Sequence, residues 1–293
     1  MYSSIKGYIK RWVEWGKRTG DRLFQLTFVR FIYNVAKTLG QDYVGIMAAG
    51  LSYYAFLSLF PLIVGLISIL GFLLPSEEVY GIIFEFLQQN IPISVEFIES
   101  IIINVVELRG TLGLISIGGL VFGGTAVLSA ISLAINRAWN LWPRPLWIRK
   151  PQEFVMVLAL GLIILLLLGI STGLSFLGDI ELPGIGTLQN VLARGISFLL
   201  VLAIFLLLYK FIPNTRVSWG DIWRGALLGA IMFEVALFGF SIFLRYFAAY
   251  DVIYGSLASI VIILFWIYIS SFILILCAEI NSVYNRMFRQ RLP

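Results

Sequence analysis

Among its 293 residues this chain has no histidine and a single cysteine, Cys277. Without imidazole it lacks the commonest general base and the commonest transition-metal ligand. One cysteine inside an apolar run forms no intramolecular disulfide and offers no thiol pair for redox or zinc chemistry. Metal-assisted phosphodiester cleavage calls for clustered carboxylates or histidines, whereas Glu14, Asp21, Asp42, Glu153 and Asp221 stand singly along the chain. No metal, no cofactor and no catalytic residue are expected, hence no enzyme. Charge is scarce as well, with 13% charged residues against 60% hydrophobic and 15% aromatic, where soluble domains carry about 25% charged residues. A signal peptide with a cleavable apolar core is not visible in the first 40 residues, so the first transmembrane helix is expected to act as the insertion signal.

The missing charges are missing in blocks. Residues 43–76, 110–136, 154–178, 195–209 and 252–278 contain no Asp, Glu, Lys or Arg, and 225–244 contain only Glu234. A hydrocarbon core about 30 Å thick needs roughly 20 apolar residues in a helix. Each block spans, the fourth by borrowing Val191, Leu192, Phe211 and Ile212. Backbone polar groups are satisfied in lipid only by helices or closed barrels, and uninterrupted runs of this length exclude a barrel. The sequence predicts an all-α, polytopic membrane protein with six transmembrane helices at about 44–74, 111–136, 154–178, 191–212, 225–246 and 254–280, within a domain covering 41–285.

Orientation follows from the remaining charges. With the N-terminus inside, the inner segments hold 18 of the 21 basic residues, and only Arg109, Arg194 and Arg245 fall outside. The positive-inside rule counts basic residues alone, so both termini are expected to be cytoplasmic. The net charge of +5 then belongs to one face of a membrane protein, and no nucleic-acid partner is implied.

Residues 1–40 read as basic amphipathic helices, with Ile5, Tyr8, Ile9, Trp12 and Val13 at helical spacing between Lys6, Lys10, Arg11, Lys17 and Arg18. Such a segment lies on anionic headgroups, which makes membrane lipids the first expected partner. Residues 286–293 form a short basic tail. The loop 76–109 reads as an extracytoplasmic amphipathic helical hairpin broken at Pro92. Glu96, Glu99, Ser100, Asn104 and Glu107 segregate from Phe97, Ile98, Ile101, Ile102, Val105 and Leu108. Gly119-x-x-x-Gly123 and Gly225-x-x-x-Gly229 mark faces where helix backbones can approach closely. The first span, about 46 Å long at 1.5 Å per residue, must tilt, bend or protrude, and Pro61 with Gly65 marks the expected bend.

Glu234, near the bilayer midplane, is the outlier. An acid there costs about 2.5–3.5 kcal/mol on insertion scales, so it should face the bundle interior, carry a proton or meet a partner. Proton coupling or headgroup binding stands against a packing hydrogen bond. Arg245 lies three turns further along the same face, beyond direct pairing. Ser52, Tyr53, Tyr54 and Ser58 make the first span unusually polar, and part of it should line the interior, with Pro61 beside them. Asn136, Arg137, Lys210, Asn214, Glu279 and Asn281 fall at one depth on the cytoplasmic side. They read as a polar cluster with a clamping role.

Several stretches carry a resemblance. The run from Ala48 through Ser52-Tyr53-Tyr54 to Ser58-Leu59-Phe60-Pro61 resembles the signature of the YihY/BrkB family of bacterial inner-membrane proteins. So do Ala134-Ile135-Asn136-Arg137-Ala138-Trp139, Tyr209 to Pro213-Asn214, and Trp223-Arg224-Gly225-Ala226. The last span matches from Tyr254-Gly255-Ser256 through Trp266-Ile267-Tyr268 to Ala278-Glu279-Ile280-Asn281. The similarity runs in order from about residue 30 to 285, with Cys277 where the family usually has a small residue. It implies multi-pass residence in the bacterial inner membrane. It also implies a link to envelope integrity, serum resistance and lipid transport; the older ribonuclease label of the family is regarded as mistaken. The expected function is handling of an amphipathic envelope substrate, a phospholipid or lipid-linked precursor, alongside membrane lipids and periplasmic or inner-membrane envelope-transport proteins. Two other functions fit the residues: a small-solute or drug exporter driven by protons through Glu234, and a non-transporting envelope scaffold.

Overall fold

A computed structural model of the chain describes residues 27–73, 121–142, 144–178, 185–247 and 256–289. Among the described residues there are seven helices and no strand. They are α1 (Thr27–Gln41), α2 (Val44–Leu73), α3 (Val121–Ala138), α4 (Leu146–Gly178), α5 (Ile185–Phe211), α6 (Trp219–Phe247) and α7 (Ser256–Phe288). Val121–Ala138, Arg194–Phe211, Trp219–Leu244 and Ile260–Phe288 are long and apolar enough to cross a bilayer, and Val44–Leu59 is a shorter apolar stretch. The helical membrane architecture expected from the uncharged runs is therefore present, as four such helices among the described residues. The hairpin expected over 76–109, the helices expected over residues 1–26 and the last four residues of the basic tail lie outside the described residues.

Helix α7 is the centre of the bundle. It packs against α1, α2 and α6, while α5 joins α6 to α4. Its inner face supplies Ile263, Ile273, Ile275, Cys277 and Ala278, all buried. Between lipid-embedded helices no hydrophobic driving force remains, so close packing and interhelical hydrogen bonds must hold the bundle. Glycines allow the closest approaches. An added Cβ at Gly229 would come within 2.7 Å of the Phe205 ring on α5, and one at Gly124 within 2.9 Å of Val157 on α4. Gly123 lies against Ser58 on α2, where a Cβ would meet the serine Cβ at 3.0 Å.

Four helix boundaries differ from the charge pattern by six or more residues, with α5 starting at Ile185 and α6 at Trp219, each six residues before its expected span. Helix α4 begins at Leu146, eight residues before the uncharged run, because Pro145 accepts the first backbone bonds from Ile148 and Arg149. Helix α7 continues to Phe288, carried by polar side chains that face α6. Helix α2 runs unbroken through Pro61. On α6, Ile231, Val235, Phe238 and Ile242 are exposed at four- and three-residue spacing, the stripe of a helix that faces lipid.

Candidate functional site

The polar residues at the basic end build three separate junctions. In the first, α3 and α4 fix the connection between α5 and α6. Asn136, buried on α3, donates through Nδ2 to the Ser132 carbonyl at 2.8 Å and to the Ile212 carbonyl at 3.5 Å, and its Oδ1 accepts the Asn214 backbone N–H at 2.7 Å. Arg144 donates to Asn214 Oδ1 at 3.1 Å, to the Pro213 carbonyl at 3.2 Å and to Gln152, which itself donates to the Phe211 carbonyl. The carbonyls left over where α5 ends are thus taken up by side chains of other helices. Lys210 donates to the Val217 carbonyl and lies 5.4 Å over the Trp219 ring, and it pairs with no acid among the described residues.

The second junction docks the start of α6 on α7. Asp221 caps the start of α6, its Oδ2 accepting from both the Ser218 N–H at 2.9 Å and the Ser218 hydroxyl at 2.6 Å. From the end of α7, Asn281, Asn285 and, one residue past the helix, Arg289 recur every fourth residue, one per turn on one face. Asn281 accepts from the Gly225 N–H at 2.9 Å and donates to the Ile222 carbonyl at 3.2 Å. Asn285 donates to the Asp221 carbonyl at 3.1 Å, and Arg289 pairs with the Asp221 carboxylate. A Cβ on Gly225 would collide with the Asn281 carboxamide.

The third junction gathers the turn between α1 and α2. Arg137 on α3 holds Asp42 Oδ1 at 2.8 Å. Beside Asp42 and Thr38 stands Glu279 of α7, fully buried, and among the described residues neither of its carboxyl oxygens accepts a hydrogen bond. Arg286, about two turns further along α7, is the cation whose field reaches it. The expected single cluster is therefore divided: Asn136 meets Asn214, Asn281 meets α6, and Glu279 meets neither. Depth in the membrane placed these groups at one level but did not pair them.

Inside the spans, the polar face of α2 divides as well. Ser52 and Ser58 are buried, and their hydroxyls donate to the carbonyls of Ala49 and Ala55 at 2.8 Å. Such local bonds satisfy a hydroxyl within its own helix. Tyr53 and Tyr54 point outward, 58% and 51% exposed, with their rings edge to face. Pro61 is half-buried. Glu234 on α6 is half-buried between the lipid-facing stripe and the interior, and Arg194 on α5 is the basic group whose field reaches it. The side chain of Arg245 lies outside the described residues.

Several buried or half-buried polar residues stand outside the sites expected from the sequence. Asn285 and Arg289 carry a signal in retrospect, because with Asn281 they continue a four-residue polar stripe past the apolar run. Glu153 is buried on α4, accepting from Ser129 at 2.8 Å and flanked by Arg149 and Lys150 at 3.2 and 3.1 Å. Tyr209, fully buried, donates from its hydroxyl to the Leu274 carbonyl at 2.7 Å. No spacing rule identifies either.

Asn136 offers a direct check on the first junction. In Asn136→Leu the Asn214 N–H and the Ile212 carbonyl lose a buried partner, at about 1–3 kcal/mol for an unsatisfied group. The expected outcome is a lower melting temperature of the detergent-solubilised protein and faster hydrogen exchange at 211–217. Unchanged exchange there would show that the connection is held without Asn136.

Comparison with known proteins shows the family. The family model described as Virulence factor BrkB matches residues 35–293. A protein named UPF0761 membrane protein from Tolumonas auensis (strain DSM 9187 / NBRC 110442 / TA 4) is 31% identical, over 95% of this chain and 94% of its own length. One of the same name from Pseudoalteromonas atlantica (strain T6c / ATCC BAA-1087) is 30% identical over 90% of this chain and 87% of its own. Another, from Aeromonas salmonicida (strain A449), is 30% identical over 87% and 88%. No solved structure matches. With the family model covering the helical bundle from the second half of α1 onward, and relatives named as membrane proteins over nearly the whole length, the chain belongs to the BrkB family of membrane proteins.

Proposed function

We propose that the protein moves or presents an amphipathic envelope substrate, a phospholipid or lipid-linked precursor, in the bacterial inner membrane, and that it is not an enzyme. Six crossings with both termini cytoplasmic, supported by the distribution of basic residues, complete the proposal. So do membrane lipids and envelope-transport proteins as partners. One observation carries it. The mid-span acid of α6, Glu234, stands at the edge of the exposed stripe of Val235 (66%) and Phe238 (69%), with the field of Arg194 reaching it from α5. Opposite charges at the border of a lipid-facing surface suit a zwitterionic or anionic headgroup arriving sideways from the bilayer. A hydrophilic solute would need an enclosed path instead.

A phospholipid carrying a photoreactive group on its headgroup tests this. In an undisturbed bilayer such a headgroup reaches only the ends of a span. Crosslinks are expected in the mid-span peptide 228–242 of the reconstituted protein, and they should fall severalfold in Glu234→Leu. Crosslinks confined to the helix ends around Trp219 and Trp223 would overturn the proposal.

A further inference from the structure

We infer that Glu279 and Asp42 form a proton-binding site, in which the Glu279 carboxyl carries the proton and donates it to the Asp42 carboxylate, tying the α1–α2 turn to the central helix α7. The inference does not depend on what the protein transports. Glu279 is fully buried, and among the described residues neither oxygen accepts a hydrogen bond. An ionised carboxylate without donors inside an apolar bundle costs at least several kcal/mol. Among the described residues the Thr38 hydroxyl is the one neutral donor within its reach, and that hydroxyl has other acceptors. Helix α2 contains no charged residue. On α1, the Thr38 hydroxyl already donates to the Asn34 and Val35 carbonyls at 3.1 and 2.9 Å. From α3, Arg137 is committed to Asp42. On α6, Asp221 is paired with Arg289, and Arg224 lies over the Trp223 and Tyr284 rings. Arg286, on α7 itself, is exposed and reaches Glu279 only through its field.

What stands beside Glu279 is a second carboxylate. Two carboxyl groups sharing one site hold a proton between them, because like charges so close cannot both ionise. The Arg137 guanidinium decides which keeps the charge. It bonds Asp42 at 2.8 Å, so Asp42 is the acceptor and Glu279 the acid. The turn that carries Asp42 is itself under constraint, since Tyr43 has a φ of 51°, a conformation costing about 1–3 kcal/mol for a residue other than glycine. Loss of the proton would set two negative charges against each other at that turn and release it from α7.

Infrared spectroscopy of the full chain in lipid nanodiscs reads this directly. A protonated carboxyl gives a carbonyl stretch that shifts in heavy water. The wild type is expected to show it, and Glu279→Gln to lose one carboxyl equivalent per chain while keeping its melting temperature, since the amide still donates to Asp42. Glu234→Gln, in the same experiment, separates the other intramembrane acid. Asp42→Asn provides a second route if the Glu279→Gln protein folds poorly: the band should move toward that of an unshared acid. A band unchanged in both Glu279→Gln and Asp42→Asn would overturn the site. Displacement of the wild-type band by millimolar sodium would overturn it too, making this a cation site.

Discussion

Alanine at position 225 is expected to undo the junction between α6 and α7. Helix propensity alone forecasts the reverse, since replacing glycine by alanine inside a helix gains about 1 kcal/mol. The added methyl, however, falls on the Asn281 carboxamide. Overpacking of that kind costs about 1–3 kcal/mol. If Asn281 swings away, its buried amide and the Ile222 carbonyl lose their bonds, at about 1–3 kcal/mol for groups left unsatisfied. The balance is a net destabilisation of about 1–5 kcal/mol, visible as a lower melting temperature and a smaller monodisperse fraction in detergent. Gly225→Ala combined with Asn281→Ala should recover part of the loss, because the collision is gone even though the hydrogen bonds are not. Such non-additivity is the mark of residues in contact. A Gly225→Ala protein as stable as the wild type would place Asn281 elsewhere.

The contrast between these two residues shows what the sequence makes legible. Spacing of uncharged runs locates helices well, because lipid tolerates little else, and α2, α5, α6 and α7 fall on their runs. It underestimates length where charges are neutralised on the spot. Glu153 sits buried on α4 between Arg149, Lys150 and Ser129, so the helix continues through charges that a run would end on. Direction is harder. A helix with polar residues on several sides gives no preferred face, and α2 turns Ser52 inward and Tyr53 outward. Contacts between helices are harder still. Glu279 and Asn281 are two residues apart at the same depth, yet about 200° of helical turn separates them. Asn281 therefore docks on α6 while Glu279 faces Asp42. The four-residue step from Asn281 to Arg289 is visible in the sequence, but only the position of α6 gives it a partner.

Glu234 is expected to show the largest functional effect. If its carboxylate receives part of a headgroup, Glu234→Gln keeps the shape and loses only the charge. A hydrogen bond to a charged group contributes about 1.5–3 kcal/mol, so substrate engagement should weaken roughly 10- to 150-fold, at 1.4 kcal/mol per decade. Membrane expression should stay normal. Glu234→Leu should be equally inactive but inserted at least as well, because it removes an insertion cost of about 2.5–3.5 kcal/mol. A purely structural Glu234 predicts the opposite pattern: Gln works, and Leu loses stability. Arg194 sharpens the distinction. Its field reaches Glu234 across the α5–α6 contact, so Glu234→Gln should leave an unbalanced cation that favours anionic over zwitterionic headgroups in the photo-crosslinking experiment. Arg194→Gln should shift the preference the other way. Complementation of an envelope defect, read beside expression level, completes the measurement. An active and normally expressed Glu234→Gln protein would remove Glu234 from substrate binding and leave the lipid-facing stripe of α6 as a packing surface alone.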